Sequence, residues 1–367
     1  MARPDRGRFP TPGGGGPPGY NPNHAAFQQR GPRPTGMPYQ QQGASSYQLA
    51  VPSPRMAAPT TLVLNDAMLS TFRVCRTFQE NSGDVNHADF STQGEFLLTS
   101  ASDDSIVIYD CLKGSSNRVI NCKKYGVENI IYTHSSNAAL HSSSRTDDSI
   151  RYLNLQENKY LATFQGHTKK IRHICLSPVD DQFISASADK TIRLWDHRVG
   201  CTGTLPNLDA APSMAFDPEG LVFAVSCCVE REQRIMLYDL RNFTDGPFAV
   251  FRYGEQQDGD WCGMKISPNG RYLLVTTNGP TVYVMDSFTG ECLFTFRGHA
   301  NKGKELEASF TPDSNYALIG STNGQVHIWN LKNGAPLLPL PPGRAKDPAH
   351  LVKFSPTNAL MMTAGKQ

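Results

Sequence analysis

The chain has 367 residues, 35 Lys and Arg against 33 Asp and Glu, a formal charge of +2 and 39% hydrophobic residues. Mean hydropathy is −0.40, and no apolar run approaches the roughly 18 residues a helical membrane span needs, which excludes an integral membrane protein of that kind. Met1 to Gly16 holds no apolar stretch, so a secretory signal is not expected. The nine cysteines form no CxxC pair, and adjacent Cys227 and Cys228 do not easily bridge each other. They read as small buried hydrophobes of a reducing compartment rather than a disulfide scaffold or zinc ribbon.

In chain order, the first element is compositional. Residues 1–60 hold 12 of the 26 prolines and 9 of the 31 glycines, with six Arg, one Asp and no Lys. The segment thus carries +5 and leaves −3 on the remainder. Runs such as Gly13-Gly14-Gly15-Gly16-Pro17-Pro18 and Gln40-Gln41-Gln42-Gly43 bury too little apolar surface to offset ordering entropy. Residues 1–60 are therefore expected to be a disordered Pro/Gly/Gln/Arg-rich tail, and 61–367 the folded domain. RG and QQRG fragments invite an RNA-binding reading of the tail, but arginine-rich arms are denser in Arg, so a solubilising extension is preferred.

After the tail a phrase recurs: an apolar run closed by an acid or amide, at Ser105-IVIY-Asp110, Ser149-IRYL-Asn154, Thr191-IRLW-Asp196, Arg234-IMLY-Asp239, Thr281-VYVM-Asp286 and Gln325-VHIW-Asn330. The closing positions are 44, 42, 43, 47 and 44 residues apart. A second phrase, an apolar residue, then Ser, Thr or Asp, often Pro, keeps the same phase. It stands at Phe90-Ser91, Leu176-Ser177-Pro178, Phe216-Asp217-Pro218, Ile266-Ser267-Pro268, Phe310-Thr311-Pro312 and Phe354-Ser355-Pro356. The second unit replaces it with His134-Ser135-Ser136-Asn137. Strand-type runs follow each, rich in β-branched and aromatic residues. About 43 residues and four short strands per unit is the signature of an all-β propeller. Seven phrases predict seven blades, the last one incomplete. By this alignment Thr363-Ala364-Gly365-Lys366-Gln367 falls on the turn after the second strand of blade seven. The segment near Phe72 to Phe78 is expected to supply its outer strand.

Within this frame Gly166-His167 precedes blade three and Trp195-Asp196 closes its third strand. In WD repeats a His, a strand Ser, a turn Asp and the Trp form a buried hydrogen-bond chain. The resemblance to such repeats implies that here these would be His167, Ser185 or Ser187, Asp189 and Trp195, expected to hold a loop against the sheet. Blade six has His299 and Trp329 but Asn323 where Asp is expected, and blades one and two keep Asp103 and Asp147 without the Trp. A hydrolytic His-Asp-Ser triad is disfavoured because these residues fall on a structural repeat.

The stretches TFRVCRTFQEN (71–81), DDSIVIYDC (103–111), KKYGVENIIYTH (123–134), DDSIRYLNL (147–155), SPVDDQFISASADKTIRLWDHR (177–198), FDPEGLVFAV (216–225), LYDLRNFTDGPF (237–248) and LEASFTPDS (306–314) resemble the Swd-two / WD repeat-containing protein eighty-two family. The resemblance runs from about residue 66 to the end and excludes the tail. It implies a non-enzymatic nuclear scaffold subunit of COMPASS, the histone H3 lysine methyltransferase complex. Implied partners are the SET-domain methyltransferase and other COMPASS subunits, the phosphorylated C-terminal tail of RNA polymerase II, a phosphatase complex and the cleavage and termination factors of mRNA processing. It implies no cofactor, no membrane and no sequence-specific nucleic-acid binding.

In a propeller the loops between blades and the turns between second and third strands emerge on one face. Lys123, Lys124, Tyr125 and Arg145 of blade two and Lys169, Lys170 and Lys190 of blade three should converge there. A basic patch with an aromatic suits an acidic or phosphorylated peptide; the plainer reading is solvated lysines partly neutralised by Asp147 and Asp148. The alternative function, a substrate receptor of a cullin-type ubiquitin ligase, rests on Trp195-Asp196-His197-Arg198 and its echo Tyr238-Asp239-Leu240-Arg241. Gly298-HANK-Gly303-Lys304 lacks the Ser or Thr of a phosphate loop, the Asn242-Phe243-Thr244 sequon is idle without secretion, and no HExxH or GxSxG occurs.

Overall fold

A computed structural model describes residues 63–206, 208, 212–254, 258–343 and 348–365. The expected tail, 1–60, lies outside the described residues. Among those described, the strands form seven antiparallel sheets, each a meander. The first holds Val85–Phe90, Phe96–Ala101, Ser105–Asp110 and Ser115–Asn121; the second Ile130–Tyr132, Ala138–Ser142, Ile150–Asn154 and Lys159–Phe164. The third holds Ile171–Leu176, Gln182–Ser187, Ile192–Asp196 and Gly200–Leu205; the fourth Ser213–Phe216, Val222–Val229, Glu232–Asp239 and Ala249–Tyr253. The fifth holds Trp261–Ile266, Tyr272–Thr277, Val282–Asp286 and Cys292–Phe296, the sixth Ala308–Phe310, Tyr316–Gly320 and Val326–Asn330, and the seventh Ala349–Phe354 and Met361–Gly365.

The recurring phrases are turn chemistry. The residue closing each third strand accepts a backbone N–H from the turn to the fourth segment: Asp110 from Lys113, Asn154 from Gln156, Asp196 from Arg198, Asp239 from Arg241, Asp286 from Phe288 and Asn330 from Lys332, all at 2.7–2.9 Å. Asp and Asn suit the position because a short side-chain oxygen reaches a backbone N–H two or three residues on. The second phrase works alike at the hairpin between the first and second strands. Ser91, Asp217, Ser267 and Thr311 accept from the N–H of Phe96, Val222, Tyr272 and Tyr316. The Trp-Asp-His-Arg box is thus one instance of a turn shared by six sheets.

Packing follows from sheets that are apolar on both faces. Leu98, Ile106 and Ile108 of the first sheet pack on Ile130 and Leu153 of the second, whose other face puts Leu140 and Ile150 against Phe183 and Trp195 of the third. The pattern repeats around the molecule and returns: Leu351, Leu360 and Met362 of the seventh sheet pack on Phe90, Val107 and Tyr109 of the first. The innermost strands touch in sequence, and Ala349–Phe354 touches Val85–Phe90. That last junction is noncovalent. His350 Nε2 lies 3.0 Å from Val85 O, Thr357 Oγ1 donates to Gln93 O at 2.6 Å and Asn358 Nδ2 to Gly94 O at 3.1 Å.

Charges line the axis. Lys265 Nζ of the fifth sheet donates to Glu307 Oε1 at 2.6 Å; Lys353 Nζ of the seventh lies 3.5 Å from the same oxygen and 3.4 Å from Asp89 of the first. Burial acts upward on the Glu307 carboxyl, but the two ammonium groups hold it far below the usual range. The fifth, seventh and first sheets and the segment leading into the sixth are thereby joined beside a cavity of about 440 Å³ lined by residues that include Asp89, Lys265, Ser309 and Lys353.

The segment near Phe72 to Phe78 is not the outer strand expected of it. A short helix, α1 (Asp66–Ser70), is capped by Asn65 and docked on the sixth sheet: Asp66 Oδ1 accepts from Tyr316 Oη at 2.6 Å and Asn330 Nδ2 at 2.9 Å. Phe72 then stacks on Phe354 of the seventh sheet at 5.9 Å, and Phe78 on Tyr109 of the first at 4.7 Å. The segment is a strap held by side chains: α1 anchors its start on the sixth sheet, and Phe72 and Phe78 rest on aromatic rings of the seventh and first. Leu69, fully buried between the sixth and seventh sheets, is its deepest anchor. Leu69→Ala is expected to cost about 3 kcal/mol in urea unfolding; a loss below about 0.5 kcal/mol would contradict the anchoring role.

Candidate partner-binding face

In the third sheet the expected chain forms. His167 Nε2 lies 2.7 Å from Ser185 Oγ, which accepts from Trp195 Nε1 at 2.8 Å, and His167 Nδ1 lies 2.9 Å from Asp189 Oδ2. With Ser185 accepting from the indole, its own O–H is available to Nε2, which assigns the proton to Nδ1 and makes the imidazole neutral. Burial lowers the His167 pKa, Asp189 notwithstanding. Burial pushes the Asp189 carboxyl up, but hydrogen bonds from Thr191, Thr168 and His167 outweigh it and hold the group at about 2. Of the two candidate serines, Ser185 is the member. Ser187 donates to Lys169 O at 2.7 Å and accepts from Asp189 N, tying the loop that bears Lys169 and Lys170 to the turn that bears Lys190.

The first and second sheets build the same device from other residues. In the first, Leu97 faces Tyr109 as Phe183 faces Trp195. Asn81 stands for the His: its Nδ2 donates to Ser105 Oγ at 2.9 Å, and its Oδ1 lies 3.4 Å from Thr99 Oγ1 and from Tyr109 Oη. Asp103 accepts from Ser105 and Ser82. In the second sheet His141 and Leu153 occupy the Ser185 and Trp195 positions. Buried Arg151 takes over, donating to Asp147 Oδ2 at 2.7 Å, Ser143 Oγ at 2.9 Å and Thr163 Oγ1 at 3.2 Å. Its guanidinium lies 3.4 Å from the centre of the Tyr125 ring and fixes that loop by a cation–π contact. Sequence reasoning missed Arg151 and Asn81, although their neighbours Asp147 and Asp103 marked the positions. In the sixth sheet His299 is buried 6.4 Å from Trp329, and Asn323 stands at the turn where the third sheet has Asp189.

Lys123, Lys124, Arg145, Lys169, Lys170 and Lys190 are all exposed on this face, with Tyr125 half-buried among them. Lys124 Nζ rests 4.8 Å from the Tyr125 ring centre. Two of the six cations are already engaged: Arg145 with Asp104 of the first sheet at 2.5 Å, and Lys170 with Glu128 at 2.6 Å. Asp147 neutralises Arg151 rather than the exposed lysines. The arrangement presents Lys123, Lys124, Lys169 and Lys190 from loops pinned by buried hydrogen bonds, a preformed cationic surface rather than a set of independent chains.

The family model for the WD domain, G-beta repeat, matches residues 72–110, 158–196 and 290–330. The chain is 46% identical over 303 residues to WD repeat-containing protein 82 of Drosophila melanogaster, covering 82% of this chain and 94% of that one. The chain belongs to this WD-repeat family. It is also 34% identical over 279 residues to COMPASS component SWD2 of Saccharomyces cerevisiae, covering 74% of this chain and 84% of that one. It is 32% identical over 286 residues to Set1 complex component swd2 of Schizosaccharomyces pombe, covering 74% and 78%. The fold is accordingly an all-β WD-repeat propeller, and among the described residues no helix is long and apolar enough to cross a membrane.

The buried groups set a pH dependence. His87, His141 and His299 are held near 4 against an ordinary 6.5, in each case chiefly by burial. Between those values the unfolded chain binds protons the folded one refuses, so stability is expected to fall as pH drops from 6.5 toward 4. Asp189 and Asp103, both near 2 against 3.8, add a second decline as pH drops from 3.8 through 2. Urea midpoints measured from pH 7 to 2 should show both steps, with Asp189→Asn shrinking only the lower one. A flat profile above pH 4 would contradict the assignment of neutral buried imidazoles.

Proposed function

We propose that this chain is a nuclear, non-enzymatic scaffold subunit of a COMPASS-type histone H3 lysine methyltransferase complex, built as a seven-bladed ring whose last blade holds two strands among the described residues. The observation that carries the reading is the match across 94% of WD repeat-containing protein 82, joined by two relatives whose names place them in COMPASS and Set1 complexes. The ring supports it in a second way. The buried His, Asp and Ser groups of the third sheet are engaged with one another and with loop backbone, and their hydrogen bonds position loops rather than substrate. What remains available on that face is charge and shape.

The partner is the SET-domain methyltransferase, met through an acidic segment at Lys123, Lys124, Lys169 and Lys190. The phosphorylated tail of RNA polymerase II suits the same cations, since each phosphate brings nearly two negative charges and three acceptor oxygens. A phosphatase complex and the cleavage and termination factors are further partners the family resemblance supports.

Lys124→Glu with Lys169→Glu reverses two cations that are not ion-paired to the fold. The double variant is expected to keep the wild-type unfolding midpoint while its affinity for the methyltransferase N-terminal region falls about tenfold or more. Unchanged affinity in a binding titration would remove this face as the docking site. Recovery of the tagged chain from nuclear extract without any methyltransferase subunit would remove the assignment to the complex.

A further inference from the structure

A phenylalanine stands three residues before two of the buried histidines, Phe164 before His167 and Phe296 before His299. Each closes the fourth strand of one sheet and rests on the third-strand tryptophan of the next, Phe164 on Trp195 at 5.8 Å and Phe296 on Trp329 at 4.9 Å. The strap repeats this geometry. Phe78 stands three residues before Asn81 and rests on Tyr109 at 4.7 Å. The WD-repeat match over 72–110 is in phase with those over 158–196 and 290–330. Phe78 thus holds the place of a fourth-strand terminus for the seventh sheet without belonging to a strand.

What differs is its neighbour. In the first five sheets a third strand lies between the second and the fourth; among the described residues the seventh sheet has no third strand. Both flanks register the difference. Phe78 is 38% exposed, where Phe164 and Phe296 are each 5% exposed. The central residues of the second strand are buried in each of the first six sheets, but none of Met361–Gly365 is. Among the described residues no backbone–backbone hydrogen bond involves 73–80, and Met361–Gly365 pairs only with Ala349–Phe354. A bare strand edge is ordinarily blunted by proline or charge. This one, Met-Met-Thr-Ala-Gly, carries neither.

We propose that an extended segment of a partner protein adds between Met361–Gly365 and the strap, as the third strand of the seventh sheet. The inference rests on the seven-bladed reading. The third strands of the other six sheets define the chemistry of the added one: a run such as Ser105–Asp110 or Thr191–Asp196, apolar toward both neighbouring sheets and closed by an acid or amide. Met361 packs in the cluster of the sixth sheet, Met362 and Ala364 in that of the first, so both faces of the added strand meet apolar side chains. Charge selects the acid. In the second sheet closing Asn154 pairs with Lys159, five residues before Phe164. The residue five before Phe78 is Arg73, exposed, with its guanidinium on the backbone oxygens of Ser70 and Phe72 rather than on a carboxylate. Backbone bonds to the flanks supply affinity and the two apolar faces supply selectivity.

The probe is a synthetic peptide with the sequence of Asp189–Arg198, the chain's own third-strand phrase, titrated into the full chain. It is expected to bind saturably and to slow hydrogen–deuterium exchange at 361–365 and 73–78. Methylating the peptide's backbone nitrogens at the Ile192 and Leu194 positions removes two donors from one edge without touching the propeller, and should weaken binding about tenfold or more. Asp196→Lys in the peptide should weaken it about fivefold, and Arg73→Glu in the chain should recover that loss. Amides of 361–365 protected on both edges in the free chain would overturn the reading on which the inference rests. Open amides without peptide binding, protection confined to other segments, or binding that survives N-methylation would overturn the inference alone.

Discussion

A four-stranded sheet that is apolar on both faces cannot be stable beside water, and every feature of this molecule answers to that. Ile130 and Leu153 cover the first sheet, Leu140 and Ile150 of the same second sheet are covered by Phe183 and Trp195, and so on until Leu351 meets Phe90 and Val107. The arrangement holds only if it returns on itself, since any open end exposes a full apolar face. That places unusual demands on the junction between the seventh and first sheets. Apolar packing, backbone contacts from His350, Thr357 and Asn358, and the Lys353–Asp89 pair all act there. The strap from α1 to Asn81 crosses the same junction from outside.

Once the interiors of the sheets are spent on packing, the proposed recognition falls to the loops. Loops are ordinarily mobile, and the buried chains of the first three sheets counter this. His167–Asp189 and Asn81–Ser105 each tie an inter-sheet loop to the second hairpin of their sheet, and Arg151, held by Asp147 at that hairpin, does the same through its stacking on Tyr125. The cations of the second and third sheets are consequently displayed from fixed points. One geometric role is filled by three different side-chain sets, so the role, rather than the identity of the residue, is what the fold requires.

How far the sequence reveals this depends on whether the information is local. The closing Asp or Asn of each third strand and the Ser, Thr or Asp of the hairpins are readable because each bonds a backbone N–H within five residues. The His167 chain is readable because its members recur at characteristic positions. Arg151 is not: a residue ordinarily read as surface charge is buried by three hydrogen bonds and an aromatic ring. The Lys265–Glu307–Lys353–Asp89 cluster joins residues up to 264 positions apart, and no pattern in one chain announces such pairs. The strap is not legible for a related reason. Only the docking of Asp66 on Tyr316 and Asn330 shows where its start is held.

The central claim is that a ring without chemistry of its own presents pinned loops of neighbouring sheets to the methyltransferase. Hydrogen–deuterium exchange on the full chain, free and bound to the methyltransferase N-terminal region, addresses it directly. Binding should slow exchange at 123–125, 144–148, 168–170 and 188–191 and leave the outer strands of the fourth and fifth sheets unchanged. Protection confined to other loops, or none at all on complex formation, would contradict the account.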